Sequence, residues 1–143
     1  MIPILKLVEA FFDEKTVNDA VARARVIALR AGGALVRRLA RAGIKRRRGT
    51  SKPGDQPFSH EGDLKKLLYF DYDRTSESEV IGPIKTGNKN VPNLLEFGGS
   101  TTQRFKHGGS RTINYRKHPY MAPALEQAAP QLPSHWRNSV RAA

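Results

Sequence analysis

The feature that most limits how this chain can fold is a stripe of apolar and small residues running from Thr16 to about Arg47. Val17, Val21, Ala24, Ala28, Ala31, Leu35, Leu39 and Ala42 return at steps of three and four, the repeat of one face of an α-helix. Thr16 is placed to cap the start, and Asp19 three residues on gives a weaker relative of the capping box. The spacing predicts one helix over 16–47, roughly 45 Å long at 1.5 Å per residue. That is long for a chain of 143 residues, which has room for one domain, so part of the helix is expected to project. Much of the stripe is alanine, which buries little area but lets a neighbour come close. Gly32 and Gly33 interrupt it, and either a bend or close packing accounts for them.

The same segment carries most of the net charge. Arg23, Arg25, Arg30, Arg37, Arg38, Arg41, Lys45, Arg46, Arg47 and Arg48 lie in the helix or at its end, with no acid between Asp19 and Asp55. Lys and Arg total 25 against 13 for Asp and Glu, a formal charge of +12. Three readings of this flank stay open: a solvated face, a contact for DNA, or a contact for an acidic protein surface. Arg37, Arg38, Arg41, Lys45, Arg46, Arg47 and Arg48 are the candidate contact residues, the last of them suited to the negative end of a helix dipole.

Around the helix the chain divides readily. Residues 1–15 read as an apolar arm, packed either on its own domain or on a neighbouring subunit, and 16–143 as a single α+β domain. Pro53, Gly54, Pro57 and Gly62 make 49–63 a loop. Leu67 to Tyr72 and Val80 to Ile84 flank polar turn residues and predict an antiparallel hairpin, with Gly82 and Pro83 marking an edge or bulge. Val91 to Phe97 suits a short helical turn closed by Gly98 and Gly99. Residues 98–110 are expected to be a mobile loop or long hairpin connection, returning as a strand over Arg111 to Arg116. Pro123 opens a C-terminal helix through Leu125 and Ala128, which Pro130 and Pro133 break or kink before Trp136. The fold expected is a long N-terminal helix against a small antiparallel sheet, completed by a short C-terminal helix.

Chemistry finds little footing. The absence of cysteine excludes disulfides, thiolate zinc sites and thiol nucleophiles. His60, His107, His118 and His135 are scattered, none with a carboxylate four residues away. There is no nucleophile elbow or phosphate-cradling loop, and Asp71 and Asp73 alternate with aromatics and need only face solvent. No enzyme activity, cofactor, metal or small-molecule substrate is expected. The apolar opening stretch is shorter than the roughly 20 residues of a membrane span and lacks the marks of a secretory signal, so a cytoplasmic product without a membrane partner is expected.

The glycine, proline and aromatic punctuation carries a further signal. Ser51-Lys52-Pro53-Gly54, then Pro57, His60, Gly62 and Leu64, are followed in order by Val80-Ile81-Gly82-Pro83 and by Val91-Pro92 with Leu95-Glu96-Phe97-Gly98-Gly99. Pro119-Tyr120-Met121-Ala122-Pro123-Ala124-Leu125 and Trp136 close the series. In this order the pieces, over residues 20 to 140, resemble a family of tailed-phage virion-morphogenesis and tail-completion proteins. His118 stands where that family commonly has an arginine. The resemblance implies a structural, non-catalytic subunit of the neck or head-proximal tail, assembled with itself in a ring. Its other partners would be neck and tail proteins (adaptor, stopper, tail terminator or tube) and packaged DNA. The virion would be its destination after synthesis in the host cytoplasm. A small basic nucleic-acid-binding protein is the alternative.

Overall fold

The computed structural model describes residues 13–84, 90–106 and 108–140. The expected arm lies almost wholly outside the described residues, as does His107. The chain is α+β. A long helix α1 (Glu14–Gly43) is followed by a loop, a single turn α2 (Asp63–Lys66), and the hairpin β1 (Leu68–Asp73) and β2 (Ser78–Pro83). Then come a short helix α3 (Val91–Phe97), a second hairpin of β3 (Gly99–Arg104) and β4 (Ser110–Tyr115), and a C-terminal helix α4 (Met121–Ala128) that tightens into a 3₁₀ segment over Ala129–Trp136.

Helix α1 starts earlier and stops sooner than its pattern predicts. Asp13 is the cap, and its carboxylate accepts from the Thr16 N–H at 3.0 Å and the Thr16 hydroxyl at 2.5 Å. These bonds hold the Asp13 carboxyl below its ordinary range, the hydroxyl contributing most. Helix thus invades the last residues assigned to the arm. At the other end Ile44 turns extended and is fully buried, while Lys45 pairs in parallel with Phe58. Burying Ile44 draws the chain off the helix axis, so Arg46, Arg47 and Arg48 lie in a loop and do not sit on the dipole.

The buried face also differs from the predicted stripe. Ala20, Ala24, Ala28, Gly32, Val36 and Ala40 are buried at successive steps of four, with Gly33 and Leu35 beside them. Val17, Val21 and Ala42 face solvent. A step of four overshoots a full turn by about 40°, so this row spirals around the axis and faces different partners along its length. Both glycines lie within unbroken helix and mark those partners. A Cβ on Gly32 would sit 3.1 Å from Leu132 in the C-terminal segment, and one on Gly33 would sit 2.7 Å from Glu79 and 3.1 Å from Phe70 in the first hairpin. Close packing, and no bend, explains the pair.

The first hairpin keeps the expected boundaries to within a residue or two, in the register Leu68 to Pro83, Phe70 to Ile81 and Tyr72 to Glu79. Those pairs form the face turned to α1. Leu68 joins Leu35, Val36, Ala40, Ile44, Tyr120, Ala124 and Ala128 in one core. Instead of the one small sheet expected, there are two separate two-stranded sheets. Most of the stretch read as a mobile loop is strand, and only Phe105 to Gly109 connects β3 to β4.

Candidate interaction surfaces

Several of the residues that carry the sequence resemblance, Ser51, Gly54, Glu96, Gly98, Tyr120 and Met121, meet at one junction. Helix α4 has no capping side chain of its own, and Glu96 supplies one from α3: its carboxylate accepts the N–H groups of Tyr120, Met121 and Ala122 at 2.9, 3.0 and 2.9 Å. A carboxylate on a helix N-terminus contributes about 1 kcal/mol or more by satisfying donors that the helix leaves open. Tyr120 is buried beside it, and burial, with the Glu96 charge adding to it, pushes the phenol up to about 12. His118 is buried too. Its backbone N–H donates to Leu95 O, and its ring Nδ1 lies 2.8 Å from the Ser51 hydroxyl, itself buried.

Loop 49–63 closes on the same place. Gly54 N–H donates to Lys117 O at 3.0 Å, Ser59 N–H to Lys45 O at 3.0 Å, and Pro57 is buried. Gly62 has a φ of +81° and turns the chain into α2. Gly98 has a φ of +75°, and a Cβ there would meet Tyr115 O at 3.2 Å and Lys117 N at 3.3 Å. Gly82 and Pro83 end β2. Pro53 is exposed in the loop, Met121, Pro119 and Pro123 are half-buried around α4, and Leu125 and Phe97 point outward. Part of the ordered punctuation thus builds the knot where loop, α3 and α4 meet, while Gly82 and Pro83 close β2 and Phe97 and Leu125 face outward.

The basic candidates are not equivalent. Arg37 is occupied within the fold, its Nε donating to Leu68 O at 2.5 Å and its guanidinium lying 5.4 Å from the Tyr69 ring centre. Arg25 forks onto Glu77 at 2.5 and 2.6 Å, and Arg30 reaches Asp71 at 3.8 Å, so the first hairpin neutralises part of the helix flank. Arg38, Lys45, Arg46, Arg47 and Arg48 are exposed and Arg41 is half-buried, with Arg47 lying 5.8 Å from the Phe58 ring centre.

Two surfaces emerge only in three dimensions. One is the second hairpin, exposed along all of β3 and along β4 except at Ile113, which is half-buried. The other is an open groove walled by Phe58, Leu64, Leu67, Val91, Pro92 and Leu95, with Glu61 and Asp63 on its lining. The sequence already suggests a hairpin connection over 98–110 with a strand over Arg111 to Arg116, but it does not suggest the groove. A lone aromatic, Phe105, inside an otherwise polar and glycine-rich stretch was the available signal for the hairpin. The groove joins residues far apart in the chain and left no local signal.

Among the described residues no group of three or more His, Asp or Glu is gathered to hold a metal. No described helix is long and apolar enough to cross a membrane. Compared with protein-family models, curated proteins and solved structures, the chain has no match in any of the three.

Proposed function

We propose that this chain is a structural subunit of a tailed-phage virion, placed as part of a ring at the neck or head-proximal end of the tail. The observation that carries the reading is the second hairpin, a six-residue by six-residue ladder against which no other described helix or strand packs extensively. An isolated hairpin is marginal in water, so this one has the character of a contact awaiting a neighbouring protein. The resemblance in the ordered glycine, proline and aromatic residues supports the phage assignment, and several of them are tied together where loop, α3 and α4 meet. The function so read is complementarity of surfaces, without catalysis or cofactor.

The exposed Arg46 to Arg48 run favours a second reading, nucleic-acid binding. Charge reversal at Arg38, Arg41 and Arg46 to Arg48, leaving Arg37 to hold Leu68, separates the two. The virion reading expects a folded subunit and failed particle assembly, with the wild-type chain located in the neck or tail of imaged particles. Normal infectious particles from the variant, or particles without the chain, would count against it. The second reading expects duplex DNA affinity that falls with salt at a log–log slope of about −0.9 per phosphate contact.

A further inference from the structure

The same chain carries both halves of a plug and socket. Each strand of the second hairpin has six residues, so the ladder extends about 20 Å at 3.4 Å per residue. Near its tip stand Arg104, Phe105, Lys106 and Arg111, and no acid occurs between Glu96 and Glu126. Phe105 is 51% exposed, an uncovered aromatic framed by cations. The groove between loop 49–63, α2 and α3 has the opposite character: apolar walls, with Glu61 and Asp63 exposed beside them. An aromatic anchor seated in an apolar recess, with opposite charges meeting at the rim, is the arrangement that concentrates binding energy at protein interfaces.

We propose that the hairpin tip of one copy docks into this groove on a second copy, Phe105 entering between the apolar walls while Arg104, Lys106 and Arg111 meet Glu61 and Asp63. The inference rests on the ring reading above and specifies its contact. Plug and socket are different surfaces, so the contact is head-to-tail and closes a ring if its rotation permits. In the free chain Asp63 is 3.2 Å from Lys66, an exposed pair that docking would exchange at small cost.

The test uses the full chain. Arg104→Glu with Arg111→Glu makes a plug variant, and Glu61→Lys with Asp63→Lys makes a socket variant. Mass by light scattering over a concentration series, with hydrogen exchange at hairpin amides, reads assembly, while thermal melting checks that each variant is folded. The wild-type chain should form multimers with slowed exchange over 99–115. Each variant should weaken association at least about tenfold, and an equimolar mixture of the two should restore it. Phe105→Ala, which touches no charge, should also weaken association. A wild-type chain that stays monomeric, variants that assemble as the wild type does, or a mixture that fails to recover would each overturn the docking. Multimers indifferent to both variants would do so while leaving the virion reading intact, whereas particles lacking the chain would remove that reading and not this contact.

Discussion

The hairpin Leu68–Pro83 and the hairpin Gly99–Tyr115 each pair two six-residue strands antiparallel, yet the first lies against α1 while the second has no layer behind it among the described residues. Composition separates them. One face of the first presents Leu68, Phe70, Tyr72 and Ile81 to the helix, whereas the corresponding face of the second offers Thr101, Gln103, Arg111, Ile113 and Tyr115. Backbone pairing alone is the same in both, so it is the apolar face that decides whether a hairpin belongs to the core or is left for another surface.

That contrast can be broken at its strong end first. Leu68→Ala removes a fully buried side chain from the core and should cost about 2–5 kcal/mol in denaturant unfolding. A loss below 1 kcal/mol would mean that the first hairpin is not part of the core.

Glu79 sharpens the comparison from within the first hairpin. Both carboxylate oxygens are shielded from water with no hydrogen-bond partner among the described residues, and burial raises the carboxyl's pKa above 4.5, against the opposing pull of Arg30. The folded chain then holds this proton more tightly than the unfolded chain does. Its stabilisation is complete below pH 4.5 and is lost as pH rises through the raised value. Glu79→Gln should therefore melt higher than the wild type at pH 7, with the gap closing below pH 4.5. An equal gap at both pH values would refute the account.

The smallest effect belongs to the second hairpin. Ile113→Ala should change the stability of the free subunit by less than about 0.5 kcal/mol, because the residue is only half-buried on a ladder that supports no other element among the described residues. A larger loss in the monomer would show that this hairpin contributes to the core after all.

How much of this was legible in the sequence follows from how local each cause is. The first hairpin and α3 with its Gly98 ending rest on alternation and turn chemistry within a dozen residues and stand where those signals placed them, while at the prolines the C-terminal α-helix passes into a 3₁₀ segment that runs on to Trp136. The buried row of α1 was displaced because its direction is set by partners more than 35 residues away, Phe70 and Leu132 among them. The helix end was misplaced for a similar reason, since only the pairing of Lys45 with Phe58 and the burial of Ile44 take it off axis. Of the candidate contact residues, Arg37 looked no different from Arg38 in sequence, and only the nearness of Leu68 and Tyr69 separates an internal brace from a free cation. Glu96 and His118 stood out as punctuation, but their bonds to α4 and to Ser51 required the fold.

Glu96 couples parts of the molecule that the ladder contacts leave apart. The second hairpin springs from α3 at Gly98 and returns to the knot through Lys117 and His118, where Leu95 O accepts the His118 N–H and the Glu96 carboxylate grips the first turn of α4. Both ends of the hairpin are thus tied to α3 and, through Glu96, to α4, which packs on the long helix. Removing this one carboxylate would therefore leave three amide donors open at the place where both ends of the hairpin are rooted.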